Sequence, residues 1–570
     1  MSNFYSDNPD IEFHLSSMDL HRIVDLYEDD FAEKDVFPYA PSDYEDCIDN
    51  YRRVLEIVGE IAGEFVAPRA TEADREGASW NDGVVSYAAP TREALDRMSK
   101  ADLMGFTLPR KYGGINMPKV CYSLAIEMIS RADAGLMNLF GLQDIAETIH
   151  KFGNEEQRQR CLPRFASGEA SGSMDLTEPD AGSDLQAVSL KAHEDEHGVW
   201  RLNGVKRFIT NGCADIHLVL ARSEDGSTSG SGLSLFVYEK EDQHFRVRRI
   251  EDKLGIHASP TCELQFSNAP AELLGRRKYG LIRYTMSLMN GARLGIAAQG
   301  LGIAEAAYRE ALAYASVREQ FGKVITRFAP VQEMLTSCRA KLAAGRTLLM
   351  ETSRIVDIKE GVEHRIDAHP ESKRDLAGDL KHHTKLAALF TPLCKLYNTE
   401  IANQVAYDAI QIHGGVGFTR EFNVERHYRD ARITNIYEGT TQLQVVAAIG
   451  GVTGGVLAER LDAYTEGVDF TPVAETFAKT QQMRDQLETA LGLLKGQEGS
   501  AACIDYHARR LVDLAIDIIN SHLLCLDALK DPSRRELTDF YVTRALAQAH
   551  GTTAYIKAQP TPPVCETPTA

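Results

Sequence analysis

The chain has 570 residues, more than one ordinary hydrophobic core accommodates, so its length indicates several packed units. Hydrophobic residues make up 44% and charged residues 25%, a globular composition that excludes disorder of the whole chain. The 82 acidic and 62 basic residues give a formal net charge of −20, which argues against nucleic acid as a partner. A small anionic ligand stays compatible with this charge, because local basic residues can override the global sign.

The ten cysteines are scattered without a CxxC pair, which predicts neither a zinc site nor a redox motif and is typical of a reducing compartment. The first residues, MSNFYSDNPDIEFHL, have no basic region and no apolar core, and no apolar run reaches the ~18 residues of a membrane span. We therefore expect a cytoplasmic protein with no integral membrane contact. Residues 1–45 are acidic and are interpreted as an N-terminal extension, either a solvated arm or a short helix pair.

Residues 46–171 are predicted to form an N-terminal helical domain. The stretch Arg52–Phe65 carries apolar residues at helical spacing, and Pro68 ends that helix. A second helix is predicted from Pro90 towards Gly105. The helix around Ser123–Ala132 has apolar residues on most sides, so we expect it to be buried.

Residues 172–275 are predicted to form a compact all-β domain. Val199–Leu202 and Val205–Ile209 flank Asn203–Gly204, and this pattern favours a tight hairpin because Asn-Gly supplies the two positive φ angles of a type I′ turn. Further short strands are predicted at Ile216–Arg222, Leu233–Tyr238, Phe245–Ile250 and Cys262–Phe266.

Helical patterning returns in residues 276–452. Residues 357–383 are charged and are predicted to interrupt these helices as an exposed insertion. Gly454–Gly455 marks a boundary, after which residues 456–560 predict an additional helical domain and residues 561–570 a frayed tail. This order indicates an α+β multidomain fold, since a parallel nucleotide-binding sheet needs alternating strands and helices.

Several segments resemble the acyl-CoA dehydrogenase family and occur in its order and spacing. They are Leu176–Asp184 (LTEPDAGSD), Phe208–Gly212 (FITNG), Arg318–Gly322 (REQFG), and Gln411–Phe418 (QIHGGVGF) with Arg429–Gln442 (RDARITNIYEGTTQ). The resemblance implies an N-terminal α-helical domain, a central β-barrel or sandwich domain and a C-terminal four-helix-bundle domain that hold FAD. Residues 456–560 resemble the additional helical domain of larger members.

The resemblance makes Glu438 the catalytic base. In the family this residue takes the α-proton of an acyl-CoA while the β-hydride passes to flavin N5, giving a trans-2-enoyl-CoA. No side chain accepts a hydride, so this chemistry requires a flavin. Some members carry the base directly before an arginine, here Arg293, but its predecessor is Ala292, which supports Glu438. The Glu438 backbone N–H is the implied donor to the thioester oxygen.

The remaining site residues are also implied by the resemblance. FAD contacts fall on Thr177, Ser183, Phe208, Ile209, Thr210, Arg318, Phe321, Gln411, Gly414, Gly415, Thr440 and Gln442. Acyl-CoA contacts fall on Ser183, Asn290, Arg293, Tyr437 and Gly439, and no metal is expected. For Arg293 an internal ion pair is the competing interpretation. The chain departs from the family at Ala329, where a glutamine is usual, and Gln332 is a candidate replacement.

The predicted function is an FAD-dependent acyl-CoA dehydrogenase that passes electrons to an electron-transferring flavoprotein, as a homodimer with a tetramer as the alternative. An acyl-CoA oxidase is the competing enzyme, because the motifs of the two overlap. A flavin-binding, DNA-associated relative is a further alternative. That type needs a basic C-terminal face, and the net negative charge of residues 455–570 argues against it. The motifs do not name the acyl group. Gln143 and Asp144 lie in a helical segment that resembles a pocket-lining region of the family. We interpret them as residues that cap and pack the helix and not as contacts for a polar acyl tail.

Overall fold

The computed structural model describes residues 2–142, 144–241 and 243–563. Helices form its N-terminal part, strands form the centre, and helices form everything that follows. This arrangement confirms the predicted α+β multidomain fold. Gln143 and most of the tail predicted at 561–570 lie outside the described residues.

The N-terminal part contains nine helices and one small hairpin within the described residues. The helices are α1 (Pro9–Ser17), α2 (His21–Glu28), α3 (Tyr44–Glu60), α4 (Ala70–Glu76), α5 (Ala89–Lys100), α6 (Lys119–Ala132), α7 (Ala134–Gly141), α8 (Asp144–Phe152) and α9 (Glu155–Ala166), and the hairpin is β1 (Ser79–Asn81) with β2 (Val84–Ser86). Helix α3 continues through a π turn into the region of Pro68, close to its predicted end. Nearly every residue of α6 is buried, as its apolar pattern predicts.

The N-terminal extension forms the predicted helix pair, but the interpretation as a solvated segment is wrong. Ile11, Leu15 and Ile23 are buried in the main hydrophobic core. Asp10 accepts hydrogen bonds from Arg346 at 3.0 Å and from Arg534 at 2.6 Å. The segment is held by apolar burial on one face and by charge pairing on the other.

The central part is a seven-stranded sheet. Its strands are β3 (Gly172–Asp175), β4 (Lys191–Glu194), β5 (Trp200–Thr210), β6 (Ile216–Arg222), β7 (Leu233–Glu239), β8 (Phe245–Ile250) and β9 (Thr261–Leu273). The strand order is β3-β6-β4-β5-β9-β7, with β8 paired to β9. An additional pairing of β6 with β7 closes the sheet on itself, in the manner of a small barrel.

The hairpin predicted at Asn203–Gly204 is wrong, because both residues lie inside the continuous strand β5. The strand turns earlier, where the Asp195 N–H donates to the Val199 carbonyl at 2.9 Å. Gly204 has φ +146°, and a β-carbon there would lie 2.9 Å from the Leu190 side chain. This glycine therefore permits close packing of β5 against Leu190, and no turn forms.

Nine further helices follow within the described residues. They are α10 (Met286–Val317), α11 (Ala329–Ala368), α12 (Lys373–His413), α13 (Val424–Thr434), α14 (Thr441–Thr453), α15 (Val456–Thr465), α16 (Ala474–Lys495), α17 (Ser500–Lys530) and α18 (Arg535–Ala558). A short hairpin of β10 (Glu319–Gln320) and β11 (Lys323–Val324) connects α10 to α11.

The insertion predicted at 357–383 is wrong, since α11 and α12 run through it and meet at a short turn, Pro370–Ser372. Some of the charges in this stretch have buried partners. The fully buried Asp357 carboxylate accepts hydrogen bonds from the backbone N–H groups of Lys119 at 2.6 Å and Val120 at 2.9 Å. Charge in this stretch therefore joins α11 to the N-terminal helices.

No single helix in the described part of the chain is both long and apolar enough to cross a membrane, although α14 and α15 together reach that length and composition with a 67° bend between them. The same residues contain no group of three or more His, Cys, Asp or Glu side chains arranged to hold a metal ion.

Candidate active site

A cavity of about 1150 Å³ lies between the β sheet and the helices that pack on it. Its walls are largely apolar and include Met137, Leu142, Met174, Leu176, Leu288 and Met289. Ten of the predicted site residues line it: Thr177, Ser183, Phe208, Ile209, Thr210, Arg293, Tyr437, Glu438, Gly439 and Thr440. A large apolar cavity with a few convergent polar groups is the usual form of a small-molecule site.

Glu438 lies in the loop between α13 and α14, in a left-handed backbone conformation with φ +51°. Gly439 follows with φ +86°. Left-handed backbone at a residue other than glycine is uncommon and persists only where the surroundings hold it. Here the Gln444 amide donates to the carbonyls of both Glu438 and Gly439, at 3.2 and 2.8 Å. The loop is therefore fixed in the shape that turns Glu438 into the cavity.

A buried lysine also holds this loop. The Lys395 ammonium on α12 is fully buried and donates to the Gly439 carbonyl at 2.8 Å. Burial lowers the pKa of Lys395 to about 7, against the opposing attraction of Glu438. Lys395 is thus both a support of the loop and one of the charges that act on the Glu438 carboxylate.

The Glu438 carboxylate forms no hydrogen bond or ion pair with another described side chain. Burial raises its pKa above the usual range for glutamate, and the nearby Lys395 and Arg293 cations oppose that rise. A carboxylate with a raised pKa and unoccupied oxygens is suited to accept a proton from a weak acid.

Arg293 lines the same cavity and is 7% exposed. One guanidinium nitrogen donates to the Asn290 side chain at 3.1 Å, whereas Nε has no hydrogen-bond partner among the described residues. No carboxylate of the described residues lies within ion-pair distance, which is contrary to the internal-ion-pair interpretation. Asn290 is exposed and does not line the cavity, so it orients Arg293 from outside.

Tyr437 connects the loop to two other helices. Its hydroxyl donates to the Asn138 side chain on α7 at 3.1 Å and to the Gln299 side chain on α10. The Gln299 amide in turn donates to the Ala134 carbonyl at 2.9 Å. This network satisfies buried polar groups and fixes the residue next to Glu438.

On the sheet side, Phe208 forms part of the cavity wall. It has φ +61° and lies at a register shift between Lys206 and Ile209, where β5 bulges away from β9. The bulge turns the ring outwards, and 52% of the residue is exposed. The hydroxyl-bearing residues Thr177 and Thr210 line the same wall. The Arg207 guanidinium lies 4.6 Å from the centre of this ring. The exposed part of the ring, beside hydroxyl groups, fits a planar, polar-edged ligand.

The other predicted cofactor residues do not line the cavity. They are the exposed residues Arg318, Phe321, Gln411, Gly414, Gly415 and Gln442. Phe321 is 93% exposed at the tip of the β10–β11 hairpin, and Phe418 is 86% exposed at the end of the glycine-rich loop. Arg318 forms no ion pair within the described part of the chain. These residues present cationic and aromatic groups to the exterior.

Sequence reasoning missed the residues that support the site. They are Asn138, Gln299, Lys395 and Gln444, all buried and all connected to the loop from Tyr437 to Gly439. A signal was present for Asn138, Gln299 and Lys395, because each is a polar residue within a largely apolar helical run. Such residues are rarely buried without a partner.

Comparison with known proteins gave matches over most of the chain. Family models match as the acyl-CoA dehydrogenase N-terminal domain at residues 49–169, middle domain at 173–269 and C-terminal domain at 282–449, and as "Acyl-CoA dehydrogenase C terminal" at 453–561. The 3-methylmercaptopropionyl-CoA dehydrogenase of Ruegeria pomeroyi is 35% identical over 456 residues, which is 74% of this chain and 74% of that protein.

Solved structures show the same similarity. An acyl-CoA dehydrogenase from Bacillus anthracis, complexed with FAD, has a TM-score of 0.75 and 26% identity, and the match covers 89% of this chain and 87% of that one. A chain solved in work on the electron transferring flavoprotein of Acidaminococcus fermentans has a TM-score of 0.61 and 33% identity, over 70% of this chain and 97% of that one.

Proposed function

The chain belongs to the acyl-CoA dehydrogenase family of oxidoreductases, and from this membership we propose that it dehydrogenates an acyl-CoA between its α and β carbons, with Glu438 as the base. The observation that carries the proposal is the Glu438 carboxylate itself. It faces a largely apolar cavity, has a raised pKa and has no side-chain partner within the described residues. Those are the properties that abstraction of an α-proton requires.

The surrounding residues have defined tasks in this proposal. Glu438 takes the α-proton, and its backbone N–H is a donor for the thioester oxygen, where negative charge develops. Arg293 supplies a buried positive charge beside the base and a free Nε donor for the substrate. The apolar walls exclude water, which strengthens these electrostatic interactions.

The residues of the sheet wall fit FAD. The exposed Phe208 ring, the hydroxyl groups of Thr177 and Thr210, and Thr440 at the start of α14 would hold it. When bound, FAD supplies the hydride acceptor that no side chain provides.

The exterior group around Arg318 and Phe321 supports assembly with a second copy of the chain. In this proposal Arg318 meets the phosphates of a cofactor bound mainly by that copy, since a free guanidinium binds phosphate through charge-assisted hydrogen bonds. The exposed Phe321 and Phe418 rings provide apolar area for the interface. We propose a homodimer whose flavin is reoxidised by an electron-transferring flavoprotein, consistent with the similarity to the Acidaminococcus fermentans chain.

The decisive experiment compares the wild type with Glu438→Gln. Purified wild type should be yellow, release FAD on denaturation, and bleach on anaerobic mixing with a good acyl-CoA substrate. The variant keeps the shape of the side chain but removes the base, so bleaching should slow by more than the roughly 10²–10⁴-fold typical of one general base. Proton removal and hydride loss are linked, which is why the larger effect is expected.

The matched control is Glu421→Gln, because Glu421 is exposed and forms no ion pair in the described part of the chain. It should bleach at the wild-type rate. Bleaching of Glu438→Gln within about tenfold of the wild type would mean that another residue is the base. Oxygen consumption in place of transfer to a dye or flavoprotein would identify an oxidase.

A further inference from the structure

The loop that carries Glu438 has a base of its own. The Thr441 backbone N–H donates to the Asn435 carbonyl at 3.1 Å, so the chain from Asn435 to Thr441 closes on itself with Glu438 at its midpoint. The supports described above act in the middle of this loop, on the carbonyls of Glu438 and Gly439. A loop held in its middle can still tilt about its ends, so the contacts of those ends decide how firmly Glu438 is held.

Glu400 on α12 bonds both ends of this loop. Its Oε1 accepts a hydrogen bond from the Thr441 hydroxyl at 2.6 Å and another from the Asn435 side-chain amide at 3.3 Å. Asn435 is also held from its other side, because its Oδ1 accepts a hydrogen bond from Arg432 at 2.6 Å. A hydrogen bond to a carboxylate is roughly twice as strong as one between neutral groups. One carboxylate therefore ties the two ends of the loop to each other and to α12.

The additional C-terminal helices reach the same carboxylate. Arg509 on α17 lies 3.9 Å from the Glu400 Oε1, and its Nε donates to Asp513 at 2.7 Å. Glu400 and Arg509 line a second cavity, of about 750 Å³, between α11, α12, α17 and α18. The two side chains are 24% and 40% exposed there, so solvent screens their ion pair. Arg509 is therefore a weaker support of Glu400 than the Thr441 hydroxyl.

Resting on the proposed function, we propose that Glu400 is a positioning residue of the reaction. It closes the base of the loop from Asn435 to Thr441 and thereby sets where the Glu438 carboxylate and backbone N–H stand, and Arg509 couples this support to the additional C-terminal helices. Glu400 acts through the loop, since it does not line the cavity that Glu438 faces. The effect on rate is large, because a misplacement of about 1 Å costs about 10²-fold.

The first readout is the rate constant of anaerobic flavin reduction at saturating acyl-CoA, expressed per bound FAD so that unfolded or apo protein does not count. Glu400→Ala removes the acceptor and should slow reduction roughly 10–100-fold. KM should change by less than about threefold, because the walls that bind the substrate are unaltered. Glu400→Gln should stay within about fivefold of wild type, since the amide oxygen still accepts from both donors. Asp375→Ala, which removes an exposed carboxylate from the same helix, is the control and should reduce at the wild-type rate.

The second readout is backbone hydrogen exchange of the holoenzyme, which does not depend on turnover. The peptide that spans residues 435–444 should exchange faster in Glu400→Ala than in wild type or Asp375→Ala. Thr441→Val removes the shorter of the two donors and should reproduce most of the slowing of reduction. In the variant that combines Glu400→Ala with Thr441→Val the two effects should not add, because both changes remove the same contact.

The coupling to the C-terminal helices has its own pair of variants. Arg509→Ala should slow reduction about two- to fivefold, since a partly exposed ion pair contributes little. Arg510→Ala is the matched control, because the neighbouring Arg510 forms no ion pair within the described part of the chain and lies over the Tyr555 ring at 4.4 Å. Equal rates in the two arginine variants would overturn the coupling.

The positioning role itself is overturned by reduction of Glu400→Ala within about threefold of wild type, or by equal slowing in Glu400→Ala and Glu400→Gln. Slow reduction without faster exchange of the loop, or the reverse, would also contradict it. If Glu400→Ala does not fold, Thr441→Val and Glu400→Gln decide by the same measurements. Failure of the proposed function has a different signature. In that case Glu438→Gln reduces its flavin near the wild-type rate, or no acyl-CoA bleaches the wild type, while hydrogen exchange still reports whether Glu400 holds the loop.

Discussion

At the scale of single residues, the active-site loop depends on two side chains with opposed electrostatic requirements. Glu438 must be ionised to act as a base, yet burial favours its neutral form. Lys395 is buried too, and its positive charge favours the ionised form of Glu438. Arg293 contributes in the same direction. The two cations allow a carboxylate to function as a base in an apolar cavity.

Replacing Lys395 with methionine should disturb both the position of the active-site loop and the protonation of Glu438. The Gly439 carbonyl loses its donor, and misplacement of the loop should slow flavin reduction roughly 10–100-fold. Loss of a cation raises the pKa of Glu438, so the base form appears only at higher pH and the acid limb of the rate profile moves upwards. The measurement is the rate of anaerobic bleaching against pH.

The pH dependence separates the electrostatic from the purely structural role of Lys395. Because its pKa is about 7, wild type loses the charge above that pH, and the variant should differ most below it. Lys385→Met, an exposed lysine on the same helix, is the control and should leave the profile unchanged. A uniform slowing with an unmoved acid limb would contradict the electrostatic role.

At the scale of elements, hydrophobic periodicity and motif order were sufficient to predict most of the fold and the cavity residues. Strands from Ile216 to Ile250 and the buried α6 follow directly from apolar patterns. The turn predicted at Asn203–Gly204 does not form, because tertiary packing outweighs the local turn propensity of this pair. Gly204 is instead needed for the close approach of β5 to Leu190.

The other error came from interpreting a charged stretch as exposed. A run of charges indicates solvent exposure only when those charges have no partners in the fold. Residues 357–383 were predicted to be an exposed insertion, but Asp357 is buried and bonded to the start of α6. Lys395 was missed for a different reason. It stands out as a cation within an apolar helical run, but its partner, the Gly439 carbonyl, lies 44 residues further along the chain and no local pattern identifies such a partner.

The β10–β11 hairpin is an element whose proposed role can be tested directly. Arg318→Ala should weaken flavin retention by roughly 1.5–3 kcal/mol, the worth of a charged hydrogen bond, and should lower the fraction of assembled protein. The FAD-to-protein ratio and sedimentation at several concentrations give the two readouts. Arg327→Ala, at the end of the same connection and also exposed, should change neither. Full flavin content together with an unaltered assembly in Arg318→Ala would refute the interface assignment.

At the scale of the whole molecule, the N-terminal extension joins parts of the chain that the family models divide. Asp10 on α1 bonds Arg346 on α11 and Arg534 before α18. Arg346 is itself fully buried and also donates to Glu127 and Glu305. One network of charges therefore connects the extension, the bundle and the additional C-terminal helices, and removal of one member leaves others unpaired.

Asp10→Asn should lower the free energy of unfolding by about 1–2 kcal/mol at pH 7, allowing for partial exposure of the pair. Burial raises the pKa of Asp10, but Arg346 and Arg534 outweigh it and hold the pKa below its usual range. A lowered carboxyl pKa stabilises the fold above the unfolded-state value and loses that contribution as the pH falls through the folded-state value. The stability difference should therefore disappear in strong acid.

Urea unfolding of both proteins at a series of pH values measures this difference. Asp35→Asn is the control, because Asp35 is exposed and has no ion pair among the described residues. A difference that persists undiminished below the usual pKa of aspartate, about 3.9, would show that Asp10 acts through packing and not through charge.

The contact between Asp10 and Arg534 spans 524 residues of sequence. Synthesis proceeds at about 5–20 residues per second, so Asp10 leaves the ribosome roughly half a minute to two minutes before its partner. During that interval the apolar residues of α1 have no complete surface to cover. Final docking of α1 is therefore a late, post-synthetic event, and the nascent chain exposes this helix to chaperones and proteases for as long as the ribosome is still translating its partner.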